Sequence, residues 1–424
     1  MKYSNKIMVL SVSAALSAMA GQVSASGFQL QEQNASGLGN AYAGQAAAAE
    51  NASTIFFNPA GMTYLPGKQI SGAINLIKPS SQFTNSGTST APAGRPSPAG
   101  NGGDAGGLNA VPNAYASWQL NSQLWLGLGI TVPYGLATEY DQGWFGRFQS
   151  QKAEIKTIDI NPSVAWKLND AVSLGGGISI QRAEVKIDRS AFVGVETASN
   201  LKLDDTSVGF NLGAMFKLSP ATRIGISYRS SIKHDLSGTA TVVGVGSAPI
   251  STTAKLPDTL AWSISHQVTP QWQLLGDITY TRWSKIKQVP ITTTAASPLG
   301  PAGRVLDTFA FEFRDTYRVG IGTNYKMRDD FTLKLGVAYD KSPVTDQYRL
   351  ATLPDNDRFW LAIGGKYQAS KQLTLDFGYA YLFIRDASIN QQKGVATAPF
   401  QGNVVGTYNN PNVHILSAQA SYSF

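Results

Sequence analysis

Between Leu373 and Phe383 an apolar residue stands at every second position: Leu373, Leu375, Phe377, Tyr379, Tyr381 and Phe383. The intervening positions include Asp376 and Gly378. A period of two is the period of a β-strand, whose successive side chains point to opposite faces. The same pattern recurs in Leu124–Val132, in Phe331–Tyr339 around Lys334, and in Phe359–Tyr367 around Lys366. Charges between wholly apolar neighbours fit a barrel wall with lipid outside and water or a plug inside. A soluble sandwich gives the same alternation with the faces reversed. The secretion signal and the aromatic strand ends weigh against it.

Lys2 and Lys6 precede an apolar stretch, Ile7 to Ala20, and Val23-Ser24-Ala25 ends in small residues. This reads as a secretory signal peptide over residues 1–25, cut after Ala25. The apolar run is shorter than the ~20 residues of a spanning helix. No longer run follows, so a membrane location requires a closed barrel. Charged residues are 14% of the chain, against roughly 25% in soluble domains. Loss of the two leader lysines lowers the net charge from +7 to +5. There is no basic cluster and hence no nucleic-acid footprint. The absence of cysteine suits passage through an oxidising compartment.

Fourteen alternating segments are expected, near 68–83, 111–120, 124–140, 152–167, 172–192, 206–217, 222–243, 255–268, 272–289, 305–326, 331–341, 357–368, 373–389 and 410–424. Six connections are tight, such as Asn121-Ser122-Gln123 and Ser370-Lys371-Gln372. The other seven read as long polar loops, among them Thr84–Ala110 and Asn390–Asn409. Alternation of short and long connections is characteristic of outer-membrane barrels, with the short turns in the periplasm. The last strand ends on Tyr422 and Phe424. The fold class is therefore an all-β membrane protein, a fourteen-stranded antiparallel transmembrane barrel over 68–424 in the outer membrane of a Gram-negative bacterium.

Residues 26–67 do not alternate. They are small and Ala/Gly-rich, with a short helix expected at Ala41–Ala49, and they carry Ile55, Phe56, Phe57, Met62, Tyr64 and Leu65. Eight strands can fill their own lumen and sixteen to eighteen leave a channel. A segment this apolar is expected to fold inside as a plug, or hatch.

Several segments resemble the FadL family of outer-membrane long-chain fatty acid transporters and related aromatic-hydrocarbon channels. They are Ser26-Gly27-Phe28-Gln29-Leu30, Ala35 to Gly44, Asn58-Pro59-Ala60-Gly61, Pro133 to Tyr140, Lys186-Ile187-Asp188-Arg189, Tyr339 to Val344 and Leu353 to Leu361. The resemblance spans nearly the whole mature chain in order. It implies ligand capture in an apolar groove near the outer loops, transfer to a tighter lumen pocket, and lateral exit at a kinked third strand. By position, Phe28 reaches into the pocket. Asn58, Pro59 and Ala60 form the hatch motif beside the kink, and Pro133, Tyr134 and Gly135 form the kink itself. Proline cannot donate to a ladder and glycine weakens pairing, so a break there is also physically reasonable. Basic lumen residues hold the ligand carboxylate in this family. Arg189 is the candidate by position, and strand parity turns it inward, as it does Arg314 and Arg318. A lumen salt bridge is the equal alternative for Arg189.

The implied partners are a long-chain fatty acid or another hydrophobic small molecule, outer-membrane lipids and lipopolysaccharide, and the barrel assembly machinery. No enzyme activity, cofactor or metal is implied, and the barrel is expected to be monomeric. Uptake of neutral aromatic hydrocarbons is the main rival reading. A structural or adhesin-type barrel and an open porin are further alternatives. His234, His266 and His414 fall on separate strands with no serine or carboxylate placed beside them. Trp125, Trp166 and Trp360 read as interior or interface aromatics.

Overall fold

A computed structural model describes residues 26–90, 100–392 and 401–424. The proposed signal peptide, 1–25, lies outside the described residues. One antiparallel sheet closes on itself. Counting a strand interrupted by a kink as one, the strands are β1 (Lys68–Asn85), β2 (Asn109–Gln119), β3 (Leu124–Thr131 and Gly135–Glu139), β4 (Lys152–Lys167), β5 (Val172–Phe192), β6 (Glu196–Lys217) and β7 (Thr222–Arg229 and Ile232–Val242). They continue as β8 (Gly246–Leu256 and Thr259–Gln267), β9 (Trp272–Thr281 and Gln288–Thr293), β10 (Val305–Ala310 and Thr316–Arg328), β11 (Phe331–Asp340), β12 (Arg358–Gln368), β13 (Leu373–Ile384 and Ala387–Gln392) and β14 (Asn403–Ser423).

Closure is made by β1 against β14, with Ile70 opposite Tyr422 and Leu76 opposite Leu416. A closed sheet has no unpaired edge, which is what lets strands cross hydrocarbon. No helix among the described residues is long and apolar enough to cross a membrane. Alternation places Leu212, Ile321 and Leu361 outward, each more than half exposed, while Lys334, Asp376 and Asn211 point into the lumen and are buried.

The strands differ from the sequence reading at their loop-side ends. β6 begins at Glu196, β8 at Gly246 and β14 at Asn403, each earlier than its apolar period. Two of the seven connections read as long are tight: residues 193–195 between β5 and β6, and 243–245 between β7 and β8. Above the bilayer both faces of a strand meet water, so pairing continues where hydrophobic alternation has ended.

Residues 26–67 fill the lumen as four short helical turns, Leu38–Asn40, Gln45–Ala48, Thr54–Phe57 and Pro59–Tyr64. The helix expected at Ala41–Ala49 is reduced to Gln45–Ala48, because Ala41, Tyr42 and Ala49 take left-handed backbone angles. Asn58 caps the last turn by accepting from the Ala60 N–H, with Pro59 at the first helical position, the favoured arrangement for that start. The wall is shaped to receive the plug. A Cβ at Gly213 would fall on the Asn58 carboxamide, and one at Gly225 on the Ala46 carbonyl. Lys334 donates to the Ser36 carbonyl and to Glu50, each at 2.8 Å, tying the plug to β11.

Candidate ligand-binding site

β3 breaks between Thr131 and Gly135. The Thr157 side chain stabilises the break, with its hydroxyl accepting from the Tyr134 N–H and donating to the Tyr134 carbonyl, both at 2.9 Å. Above the break β3 pairs with β4 alone, while β2 pairs with β3 only up to Ala114 opposite Ile130. The wall between Asn109–Asn113 of β2 and upper β3 therefore lacks a ladder.

The start of the hatch occupies that position. The Leu30 N–H donates to the Pro133 carbonyl and the Gly135 N–H to the Phe28 carbonyl, both at 2.8 Å. Gln33 adds a bond from its amide to the Val132 carbonyl at 2.8 Å and accepts from Asn113 at 3.0 Å. Residues 28–33 thus serve as a short guest strand at the kink.

The same residues close a cavity. Phe28 is buried, with its ring edge-on to Trp283 at 4.9 Å and to Tyr134 at 6.0 Å between centroids. It forms one wall of a space of about 910 Å³, counting its mouth, otherwise walled by Leu136, Ile187, Leu201, Leu236, Val289 and Phe309 among others. Its polar lining includes Thr157, Thr252, Thr352 and His234, and no lysine or arginine lines it among the described residues.

Arg189 points into the lumen and is ion-paired with Asp307. Each partner is the next inward residue beyond a cavity wall residue, Ile187 on β5 and Phe309 on β10, so the pair stands at the loop-side end of the cavity. Arg318 is buried against the hatch instead. It bonds the Ala41 carbonyl, pairs with Asp277 at 3.5 Å and lies over the Trp360 ring. Arg314 lies in the break of β10, between Ala310 and Thr316, and is exposed, bonding the Ser342 carbonyl at 3.2 Å. Parity does not reach it, because Glu312 has a positive φ and the chain is irregular up to Asp315. Asn58, Pro59 and Ala60 pack on β5 to β7 through Gly175, Gly213 and the Ala214 carbonyl. The direct partners of the kink are residues 28–33, and not this motif.

His234 is the residue that sequence reasoning passed over. It lines the cavity, and its Nδ1 lies 2.9 Å from the Asp205 carboxylate and its Nε2 3.1 Å from the Gln181 carboxamide. The expectation that no carboxylate adjoins it is corrected here. Asp205 is supplied by the neighbouring strand 29 residues away, and the pairing register could not be read from the chain. Ser207 donates to Asp205 and not to the imidazole, so the order needed for nucleophile activation is not present. Trp125 and Trp360 are interior and Trp166 is outward.

The family model described as outer membrane protein transport protein (OMPP1/FadL/TodX) matches residues 16–424. The long-chain fatty acid transport protein of Escherichia coli K12 is 30% identical over 421 residues, covering 87% of this chain and 90% of that one. Among solved structures, a Pseudomonas aeruginosa FadL homologue superposes with a TM-score of 0.84 at 23% identity, covering 94% of this chain and all of that one. The Pseudomonas putida toluene transporter TodX gives 0.69 at 15% identity, again over 94% and 100%.

Proposed function

This chain belongs to the outer membrane protein transport protein family (OMPP1/FadL/TodX), and on that footing we propose that it carries long-chain fatty acids passively across the outer membrane. Its place in the outer membrane and its role in passage of hydrophobic compounds follow from the family, whose named members are transporters and not enzymes. The single observation that carries the finer reading is the double duty of residues 28–33. They close the apolar cavity through Phe28 and complete the broken wall at Pro133–Gly135. One displacement of this segment therefore opens both the pocket and a sideways path.

A ligand of about fifteen methylenes gains on the order of 10 kcal/mol from full burial, before association costs of similar size. Binding is then easy and release is the difficulty. A pocket wall formed by a separable segment answers it. The ligand leaves at the kink, toward hydrocarbon and not toward water. Arg189, at the cavity mouth, is the proposed anchor for the carboxylate, which would compete with Asp307 for the guanidinium at about 1.5–3 kcal/mol for a charge-assisted bond. The relatives' name favours an acyl chain over a single ring.

One observation favours the second reading, uptake of neutral aromatic hydrocarbons: the cavity is lined by no cation, and Arg189 is already paired. Binding of radiolabelled C16 or C18 fatty acid to the detergent-extracted protein, with toluene as competitor, separates the two. Wild type is compared with Arg189→Ala and with the doubly neutral Arg189→Ala/Asp307→Asn. Saturable acid binding that weakens in both variants supports the fatty acid reading. Toluene binding with no specific acid binding moves the assignment to hydrocarbons.

A further inference from the structure

β6 and β7 are not laced together along their whole length. Their ladder runs from Lys217 opposite Arg223 up to Asn211 opposite Arg229, and resumes only at Asp204 opposite Ser237. Between these stretches, residues 205–209 of β6 face residues 232–236 of β7 without ladder pairs. Each of the two segments stays fully paired on its other side, to β5 and to β8. The lower margin of this seam is Ser230. Its N–H donates to the Phe210 carbonyl at 2.8 Å, and its hydroxyl accepts from the Phe210 N–H at 2.9 Å. The next residue turns away from β6: the Ser231 hydroxyl donates to the Leu256 carbonyl of β8 at 2.7 Å.

The seam lies where the lipid-facing belt ends. On the outer face of β6 the exposed apolar residues Leu212, Phe210 and Val208 give way to Thr206 and Asp204. This is the long-loop end of the barrel, and so the extracellular leaflet. Unpaired backbone is costly in hydrocarbon, but at this level it meets water. Alternation turns Leu203, Asp205, Ser207 and Gly209 inward. Leu203 and Gly209 are buried, yet the Asp205 side chain keeps 21% of its surface exposed, and it does not line the cavity. Its free face looks out through the seam. Among the described side chains one hydrogen bond crosses the interval, between His234 Nδ1 and Asp205 at 2.9 Å. Gln181 of β5 backs the imidazole at 3.1 Å. Directly behind lies the apolar cavity. Leu201, Leu203, His234 and Leu236 wall it on the seam side, and Phe28 and Leu136 on the side of the kink. The cavity thus spans the lumen between two interruptions of the wall.

We propose that the seam between β6 and β7 is a second lateral window, through which hydrophobic ligands already dissolved in the outer leaflet enter the cavity, with His234 and Asp205 as its latch. Parting two laddered strands breaks backbone bonds all along the pair. Parting these two segments breaks one side-chain hydrogen bond, while β5 and β8 hold each segment in its own half of the wall. The class of ligand follows from the height of the window. A compound that prefers lipid to water collects in the leaflet and meets the barrel at its outer wall. Its apolar part then lies beside Val208 and Phe210, and any polar head stands at the level of Thr206 and Asp235. Such a ligand enters at the seam, crosses the cavity and leaves at the kink. The inference rests on the cavity being the transport site and adds how the cavity is loaded.

The chain has no cysteine, which allows a reversible lock on the folded protein. Thr206→Cys/Asp235→Cys places two thiols outward on opposite sides of the seam, to be bridged in cells by a short bis-methanethiosulfonate linker that reductant removes. The control, Lys202→Cys/Thr239→Cys, bridges a pair directly opposed in the ladder just above. Bridging the seam should lower the initial uptake of radiolabelled oleate at least about tenfold, as for a blocked gating step, and reductant should restore it. Bridging the control should leave uptake as it was. Unaltered uptake with the seam bridged, or equal loss in the control, overturns the proposal. Failure of the unbridged protein to carry oleate would instead count against the fatty acid reading, and the same comparison is then read with toluene. Amide exchange in Asp205→Ala tests the latch. Residues 205–209 and 232–236 should exchange at least about tenfold faster, the value of one hydrogen bond, with 211–217 unchanged. Unaltered exchange in both segments overturns the assignment of the latch.

Discussion

The Gly135 N–H donates to the Phe28 carbonyl at 2.8 Å, so the residue that follows the break in β3 holds the residue that closes the cavity. The bond fixes the Phe28 backbone while Trp283, Tyr134 and Phe313 surround its ring. Truncation of a buried aromatic costs about 3–5 kcal/mol. Phe28→Ala is therefore expected to detach residues 28–30 from the kink with the barrel intact. Amide exchange at Leu30 and Gly135 reads this directly and should accelerate at least a hundredfold, about 3 kcal/mol. Unchanged protection of Leu30 would show that the ring does not hold the segment.

The seating of the plug depends on bare backbone at Gly213 and Gly225. Gly213→Val and Gly225→Val place side chains where Asn58 and Ala46 now lie, and neither position is needed to hold the barrel strands together. The expected outcome is a heat-stable barrel with an unseated hatch and a raised flux of small sugars in liposome swelling. A barrel as tight as wild type would mean that the hatch can be accommodated elsewhere in the lumen.

Much of this was legible in the sequence, for reasons that vary by residue. Strand parity placed Arg189 and Arg318 inside, because both lie within regular ladder. It failed at Arg314, where irregular chain after Glu312 resets the phase. Pro133 and Gly135 announced the break through their own backbone limits. The partner of the break did not announce itself, since backbone bonds from Phe28 and Leu30 carry no side-chain signature. His234 and Asp205 meet through a register between β6 and β7 that only the folded sheet defines. The hatch was visible as missing alternation, whereas the seat of Asn58 on β5 to β7 was not.

Lys334 is buried between Glu50 of the hatch, at 2.8 Å, and Asp376 of β13, at 3.5 Å. Removing one partner of a buried pair costs about 3–5 kcal/mol, so Lys334→Met should loosen the hatch more than any exposed ion-pair variant. Limited proteolysis of the hatch measures it. Burial alone would raise the Glu50 carboxyl, but Lys334 and Lys366 hold it at about 2. A depressed acid contributes stability above its undocked value of 4.5, and that contribution is lost as pH falls toward 2. Hatch release in acid should therefore begin below pH 4.5 in wild type and lose its pH dependence there in Glu50→Gln. Release independent of pH in the wild type would remove Glu50 from this role.

Glu32 has the opposite sign. It lies fully buried in the hatch, its side-chain Oε2 has no hydrogen-bond partner among the described residues, and its backbone carbonyl accepts from Asn75 of β1 at 2.9 Å. Burial is the largest influence and raises the carboxyl to about 7, against the pull of its own backbone N–H and of Arg358 and Arg318. A raised acid stabilises the docked state fully below the undocked value of 4.5, and that stability is lost as pH rises through about 7. The change across that window is roughly 3 kcal/mol. With Glu50 acting below 4.5 and Glu32 above it, the hatch should be held most firmly near pH 4.5–5. Glu32→Gln keeps the shape and removes the ionisation. It should hold the hatch at pH 8 as firmly as wild type does at pH 5, as read by exchange at Leu30 and Asn34. Equal exchange in wild type at pH 5 and pH 8 would mean that Glu32 is neutral, or solvated, throughout.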